Sequence, residues 1–342
     1  MFKYTVRSIM LALLAGYAQA YDFRAIADDH VVPAYRNLAS HTGELDGVAS
    51  GYCGAPSSAA MQPLRQVFRD AFLAWQGAQH LRFGPVQFLS REHRFALWPD
   101  KRGTVSKHLR RLLEDPALQA ADFDISQKSV AVQGFSALEQ LLFDDVPPDA
   151  NTCRVITAIA ANLHVMADGL VNDWTAGDEA YLRYFTEPGP GNLIFDSDAA
   201  LAGQLLNSLH TELELIETQK LARPLGDDIS RARGQRAEGW RSGSSLTAIA
   251  SNLAACDALY RHAFATELEG QPLQQKINAA FAQVRSTLDA VQMPLAEAVS
   301  DPAQRALLVR LQQELSTLRQ LVAADLAGTL GLSLGFNSLD GD

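Results

Sequence analysis

The sequence predicts an all-α protein built from two helical-bundle domains. Apolar residues recur at three- and four-residue spacing along most of the chain, which is the pattern of amphipathic helices. No run of alternating β-branched residues is long enough to suggest a sheet. The chain has 342 residues, which is more than one hydrophobic core usually organises, so two domains are expected.

The first twenty residues have the pattern of a secretory signal peptide. Lys3 and Arg7 provide a positive start, the segment 9–18 an apolar core, and Ala18-Gln19-Ala20 a cleavage site of small residues. That apolar core is too short to span a bilayer as a helix, and no later apolar run reaches the required length. We therefore expect an exported protein that is cleaved after Ala20 and has no membrane span.

The N-terminal domain is expected over residues 21–190. Its apolar spacing predicts a first helix that Pro33 bends or splits, and Ser126 is the predicted cap of the helix that ends at Phe143. A segment rich in Gly, Pro and aromatic residues, 177–192, is the candidate domain junction. The predicted helices cover residues 23–48, 58–83, 104–114, 126–143 and 151–174.

The C-terminal domain, residues 191–342, has the pattern of a four-helix bundle. Its composition suggests that the tail, residues 331–342, packs back onto the body. The predicted helices cover residues 198–221, 246–267, 273–292 and 302–327.

Charge and cysteine content limit the partners and the compartment. The chain carries 29 Lys and Arg residues against 39 Asp and Glu residues, which disfavours nucleic acid or an anionic membrane as a partner. None of the three cysteines forms a C-x-x-C motif, and export would permit one disulfide with one thiol left over. We favour Cys53 with Cys153, because both lie at ends of predicted helices in the N-terminal block, and this leaves Cys256 free.

The segment Val130–Phe143 places Ser136 and Glu139 in a predicted helix that is mostly apolar. Ser136 and Glu139 are three residues apart and so share one helix face. Glu is rarely buried without a partner, so Glu139 is either part of a site or paired with an Arg at a helix rim. Ser136 could equally bond back to a helix carbonyl. No phosphate-binding loop, H-E-x-x-H motif or G-x-S-x-G elbow accompanies this pair.

This segment resembles the signature of the imelysin family, G-x-H-x-x-E. Here it reads Gly134-Phe135-Ser136-Ala137-Leu138-Glu139, with Ser in place of the motif His. Further family-like segments follow the expected order at residues 75–85, 98–103, 240–253 and 334–342. The resemblance implies two helical-bundle domains with a site in the cleft between them, a periplasmic location and a connection with iron uptake. It also implies an older classification among the metallopeptidases.

Ser is a poor ligand for zinc or ferrous iron compared with imidazole. The metal-ligand role that the resemblance implies therefore carries over to Glu139 alone, with iron or another divalent metal as the possible cofactor. A site assembled from separate helices remains open, and His80 is the best placed histidine for it, although a lone His is more often a core residue.

Our leading hypothesis is a non-enzymatic binding protein that captures iron, or an iron-bearing or anionic small ligand, in the interdomain cleft beside Ser136 and Glu139. Components of an iron-uptake system would be its partners. Four cations in the expected wall favour an anionic ligand or a salt-bridge network over a bare cation. The expected wall residues are Trp75, His80, Arg82, Trp98, Asp100, Lys101, Arg102, Arg241 and Ser242.

Two alternatives belong to other functional classes. The first is a metal-dependent peptidase of the imelysin type, which would need three firm protein ligands for zinc. The second is a structural or interaction protein whose cleft is only a polar domain interface, with Glu139 bonded to Arg82 or Arg241.

Overall fold

The computed structural model describes residues 21–146, 149–178 and 180–335, and all regular secondary structure in these ranges is helical. The all-α prediction is therefore confirmed for this part of the chain. The predicted signal peptide, residues 1–20, lies outside the described residues, as does the segment 336–342 of the expected tail.

The N-terminal half contains three long helices and several short ones. A π-helical turn, Ala27–Val31, joins the first two helices, and 3-10 turns lie at Gly84–Ser90, Pro116–Gln119, Ile125–Gln127 and Val130–Val132. The helices are α1 Phe23–Ile26, α2 Val32–Gly54, α3 Ser58–Ala78, α4 Arg91–Phe95, α5 Thr104–Leu113, α6 Phe135–Phe143, α7 Ala150–Thr175 and α8 Tyr181–Thr186.

The C-terminal half is also helical. Two of its long helices contain π-helical segments, Leu215–Ala222 and Leu321–Leu326, and 3-10 turns lie at Ile229–Arg231, Gly234–Arg236 and Thr266–Leu268. The helices are α9 Asp198–Glu214, α10 Arg223–Leu225, α11 Ser245–Ala263, α12 Pro272–Asp289, α13 Leu295–Ala298, α14 Pro302–Gln320 and α15 Ala327–Leu330.

The long helices pack in two groups that share one core. In the N-terminal half α2 packs against α3 and α7, and in the C-terminal half α9, α11, α12 and α14 contact one another in a closed ring. Helix α11 also packs against α3, and the buried apolar residues of both halves form one continuous cluster. The boundary near residue 190 stays a prediction.

A disulfide joins Cys53 at the end of α2 to Cys153 at the start of α7, and their Cα atoms are 5.4 Å apart. This is the pair that the sequence favoured. Cys256 is a free, buried thiol. The disulfide ties together the two longest helices of the N-terminal half.

Helix α7 is long and apolar enough, by length and composition alone, to cross a membrane. It packs along α2, and Val155, Ile159 and Leu163 on its inner face are buried. A helix in the core of a bundle has the same composition as a membrane-spanning one.

The prediction of one helix over residues 126–143 is wrong. Two 3-10 turns occupy the first part, and α6 begins only at Phe135. Ser126 caps no helix. It lies inside the 3-10 turn Ile125–Gln127, and its backbone N–H donates to the side chain of Asp124, which is the cap, at 2.8 Å. The Gln133 amide donates to the carbonyls of Ser126 and Lys128, which satisfies backbone groups that a helix would otherwise use.

Pro33 does not break the first helix. It lies in the first turn of α2, directly after the π-helical turn Ala27–Val31. Residues 23–54 are helical throughout, so the π-helical turn before Pro33 is what accommodates its missing N–H and its ring inside the helix. Of the two expectations, that Pro33 bends or splits the helix, the split is wrong because the helix continues to Gly54; a local distortion is present as the π-helical turn Ala27–Val31.

The residues just after α15 pack onto the body, while the prediction for the tail as a whole stays a prediction. Leu332 and Leu334 are partly buried against the core. The Leu332 backbone N–H donates to the Ala327 carbonyl at 2.9 Å, which turns the chain at the end of α15.

Candidate functional site

Helix α6 carries Ser136 and Glu139, and a glycine at its start allows it to pack against α4. A Cβ on Gly134 would lie 2.1 Å from the Arg94 carbonyl oxygen and 2.2 Å from that of Phe95. No side chain fits there, because both neighbours are backbone atoms of α4. Gly134 therefore lets the start of α6 touch α4, and this contact positions Ser136 and Glu139.

Both residues line a cavity of about 230 Å³, here called the cleft cavity. Its walls come from α6, from the segment 97–106 and from the loop 235–241 of the C-terminal half. Five predicted site residues line it: Trp98, Asp100, Ser136, Glu139 and Arg241. Other residues outside the predicted site also line it, among them Arg223, Gln235, Arg236, Glu238 and Trp240.

Glu139 is only 7% exposed, and Ser242 holds its carboxylate. Oε1 of Glu139 accepts hydrogen bonds from the Ser242 backbone N–H at 2.9 Å and from the Ser242 hydroxyl at 2.7 Å. Burial raises the pKa of Glu139 above its usual range, although the Ser242 donors and the Arg241 charge oppose the shift. The carboxylate therefore connects α6 to the 235–244 loop.

The expected bond of Glu139 to Arg82 or Arg241 is not formed, although the interface alternative itself stays open. Arg241 instead donates to both carboxylate oxygens of Asp144, at 2.9 Å each. Ser242 supplies one hydroxyl and one backbone N–H, and both are small, uncharged donors. Burying them beside Glu139 costs less free energy than removing a charged guanidinium from water.

Asp100 is a structural carboxylate at the start of α5. It accepts the backbone N–H groups of Thr104 and Val105 at 2.8 Å each. Burial alone would raise the pKa of Asp100, but these hydrogen bonds outweigh it and hold the pKa below its usual range. Lys101 and Arg102 are exposed in the turn that Asp100 fixes and line neither the cleft cavity nor its neighbour, contrary to expectation.

Trp75 and Arg82 line a second cavity of about 230 Å³. Trp98 lines both cavities and so forms the partition between them. Trp75 is almost fully buried and stacks on Phe95 with ring centroids 4.6 Å apart. Its main role is therefore in the core beneath the partition.

His80 lies away from both cavities, so its expected place in the cleft wall is wrong. It is fully buried, and its Nε2 lies 2.7 Å from Nε2 of His30. Burial lowers the pKa of His30 to about 4 and that of His80 well below its usual value. Both rings are therefore neutral near pH 7. The N–H of one ring donates a hydrogen bond to the unprotonated nitrogen of the other.

A buried lysine beneath the cleft cavity was not anticipated from the sequence. Lys220 is 2% exposed, and its Nζ donates to Oε1 of Gln79 and Oδ1 of Asn252 at 2.7 Å each. Oε2 of Glu238, which lines the cavity, is 2.9 Å from the same Nζ. The available signal was a lysine on the apolar face of a predicted amphipathic helix.

Glu212 is buried beside this network without a hydrogen bond to either carboxylate oxygen. Burial raises its pKa, and the charges of Lys220 and Arg82 only partly counteract that shift.

The imelysin family model (Peptidase_M75) matches residues 31–322 of this chain. The chain belongs to the imelysin family. The sequence resemblance, which was based on the motif Gly134–Glu139 and four other segments, is thereby confirmed.

Known proteins are similar to this chain in sequence or in fold. Iron-regulated protein A of Synechococcus elongatus is 23% identical over 309 residues, covering 86% of this chain and 82% of that protein. The crystal structure of an imelysin-like protein from Psychrobacter arcticum 273-4 has a TM-score of 0.78 at 23% identity, covering 92% of this chain and 96% of that one. The crystal structure of a Parabacteroides distasonis protein, assigned as an iron-regulated protein A precursor, has a TM-score of 0.70 at 14% identity. The match covers 90% of this chain and 97% of that one.

The imelysin motif of this chain does not offer the donors that a directly bound metal needs. Oε1 of Glu139 already accepts two hydrogen bonds, and the Ser136 hydroxyl donates to the Leu97 carbonyl at 3.2 Å. Within residues 21–146, 149–178 and 180–335 no group of three or more His, Cys, Asp or Glu side chains could hold a metal ion. The donor set of Ser136 and Glu139 therefore does not fit a metal centre.

Proposed function

We propose that this imelysin-family protein is an exported, non-enzymatic component of iron uptake that binds an iron-bearing anionic ligand in the cleft cavity. Three features support it: the relative named iron-regulated protein A, the predicted signal peptide, and the chemistry of the cavity wall. The lining of the cleft cavity is the most informative of the three, because its charges determine which form of iron could bind.

The carboxylates of the cleft cavity are all engaged by protein donors. Ser242 bonds Glu139, Lys220 pairs with Glu238, and backbone N–H groups bond Asp100. The guanidinium groups of Arg223 and Arg236 line the same cavity. An incoming ligand therefore meets cationic donors rather than free carboxylates, which favours iron enclosed in an anionic chelate over a bare cation.

The peptidase alternative requires three firm protein ligands and a zinc-bound water. The hydrogen-bonded state of Ser136 and Glu139 disfavours it in this chain. It predicts that purified protein retains stoichiometric zinc and cleaves peptides in a chelator-sensitive way. Neither result is expected under the binding proposal.

Calorimetric titration of the mature chain with ferric citrate tests the proposal directly. We expect saturable binding of ferric citrate and no binding of Zn²⁺ alone. Ser136→Trp should abolish it, because the indole would occupy the cavity that Ser136 lines.

The matched control is Val165→Trp, since Val165 is 68% exposed on α7, and this variant should bind like the wild type. Absence of ferric citrate binding to the wild type, or equal binding by Ser136→Trp, would contradict the proposal. The first result would favour the interface alternative, in which the cleft holds no ligand.

A further inference from the structure

Two arginines stand in the wall between the cleft cavity and an adjoining cavity of about 420 Å³. Arg223 is half-buried at the end of the α9–α10 helix, and Arg236 is exposed in the 3-10 turn Gly234–Arg236. Both residues line both cavities. Neither was expected in the site from the sequence, and together they are called the arginine wall.

The neighbouring arginines all have partners, whereas the arginine wall does not. Arg231 pairs with Asp227 at 3.1 Å, Arg233 donates to the Ala232 carbonyl at 2.7 Å, and Arg305 donates to the Leu225 carbonyl at 2.7 Å. Within residues 21–146, 149–178 and 180–335, no ion pair or side-chain hydrogen bond involves the guanidinium of Arg223 or of Arg236.

Nη1 of Arg223 is buried without a hydrogen-bond partner. Buried donors normally have partners, and an unpaired one costs free energy. Burial, followed by the charge of Arg236, lowers the pKa of Arg223. An anion between the two side chains would supply the missing acceptor and relieve this repulsion.

The backbone that presents Arg236 is held in place on several sides. Gly226 has a φ of +62°, and a Cβ there would lie 2.6 Å from the Arg231 carbonyl oxygen. A Cβ on Gly234 would lie 2.0 Å from the Ala296 carbonyl oxygen. Asp228 accepts the Ser230 backbone N–H at 2.8 Å. The backbone of the loop is therefore packed too closely to rearrange freely, which lowers the entropic cost of presenting Arg236 to a ligand.

The surroundings indicate an organic anion. Guanidinium forks match planar carboxylates with two parallel hydrogen bonds. Trp98 and Trp240 line the same cleft cavity and offer apolar surface to a carbon skeleton. Inorganic phosphate would use the arginines but not these rings.

We propose that the arginine wall is a carboxylate-binding subsite of the cleft cavity and that it recognises an organic polycarboxylate. This inference rests on the proposed function, because it names the chemical class of the ligand at the same site. It concerns the chelating anion and not the iron, so iron-free probes can test it separately.

The experiment is calorimetric titration of the mature chain with iron-free citrate at pH 7. Arg223→Gln and Arg236→Gln should each weaken binding by about tenfold or more, the loss expected for a charge-assisted donor. The double variant should show no binding. Arg236→Lys keeps the charge but not the fork, and it should bind more weakly than the wild type.

The matched control is Arg310→Gln, which removes the same charge from an exposed residue that pairs with Glu314 on α14. It should bind citrate like the wild type. Equal affinity in Arg310→Gln, Arg236→Lys and the double variant would overturn the subsite. So would wild-type protein that binds inorganic phosphate but not citrate.

Repeating the titrations with ferric citrate separates the two proposals. Ferric citrate binding that survives in the double variant would refute the subsite while leaving the iron proposal standing. Binding of iron-free citrate that depends on the arginine wall, with no binding of ferric citrate, would refute the iron proposal and support the subsite.

Discussion

Ser242→Ala tests whether the bond between Glu139 and Ser242 joins the two halves of the cleft. The hydroxyl of Ser242 lies 2.7 Å from Oε1 of Glu139, 103 residues away in sequence. A hydrogen bond to a charged group contributes about 1.5–3 kcal/mol. We therefore expect Ser242→Ala to lower the free energy of unfolding by about 2 kcal/mol, which is a decrease in Tm of about 3 °C for a chain of this length.

The assay is differential scanning calorimetry at pH 8 and pH 5, with Ser245→Ala as the control. The Ser245 hydroxyl is also buried but has no hydrogen-bond partner, so its removal should leave Tm nearly unchanged. Because burial raises the pKa of Glu139, more of the carboxyl is protonated at pH 5, and the cost of Ser242→Ala should be smaller there. Equal shifts for the two serine variants would refute this reasoning.

Three further predictions concern the buried charges and the disulfide. Lys220→Met should lower the free energy of unfolding by about 3–5 kcal/mol in denaturant titrations, because it leaves a buried carboxylate uncompensated; exposed Lys276→Met should have no comparable effect. Burial raises the pKa of Glu212, so the folded protein keeps this proton at a higher pH than the unfolded chain does. The protein should therefore lose stability as the pH rises above about 4. In Glu212→Gln this loss is absent, so Tm should fall less steeply between pH 4 and 8 than in the wild type. Replacing Cys53 and Cys153 with Ala removes a cross-link between residues 100 apart and should lower the free energy of unfolding by about 2–5 kcal/mol. Cys256→Ser keeps the disulfide, so reductant should destabilise it as much as the wild type.

The helical architecture could be predicted because it depends on local spacing. The apolar stripe of α3, with Leu64, Phe68, Phe72 and Trp75 buried, is visible in the sequence as a three- and four-residue repeat. The error at residues 126–134 has a local cause as well. Side chains of Asp124 and Gln133 satisfy backbone groups there, and periodicity alone does not report such bonds.

The environment of Glu139 could be predicted only in part. Its position among apolar residues showed that the carboxylate needed a partner, but the partner, Ser242, comes from the other half of the chain. Lys101 and Arg102 were expected in the wall because they belong to the family-like segment 98–103. The turn that Asp100 fixes leaves their side chains exposed instead.

The arginine wall could not be found from the sequence because nothing local distinguishes its members. Arg223 ends one helix and Arg236 lies in a polar loop, and both positions are typical of solvated residues. Only the packing of the loop 226–236 against α13 and α14 brings the two side chains to one cavity wall. The Cys53–Cys153 pair, by contrast, lay at ends of helices that the spacing already predicted.

Anomalous diffraction at the iron edge from crystals grown with ferric citrate tests the central claim most directly. The account predicts an iron peak inside the cleft cavity, near Trp98, Ser136 and Trp240, with citrate density in contact with Arg223 and Arg236. An iron peak coordinated directly by Glu139, or iron bound only outside this cavity, would contradict it.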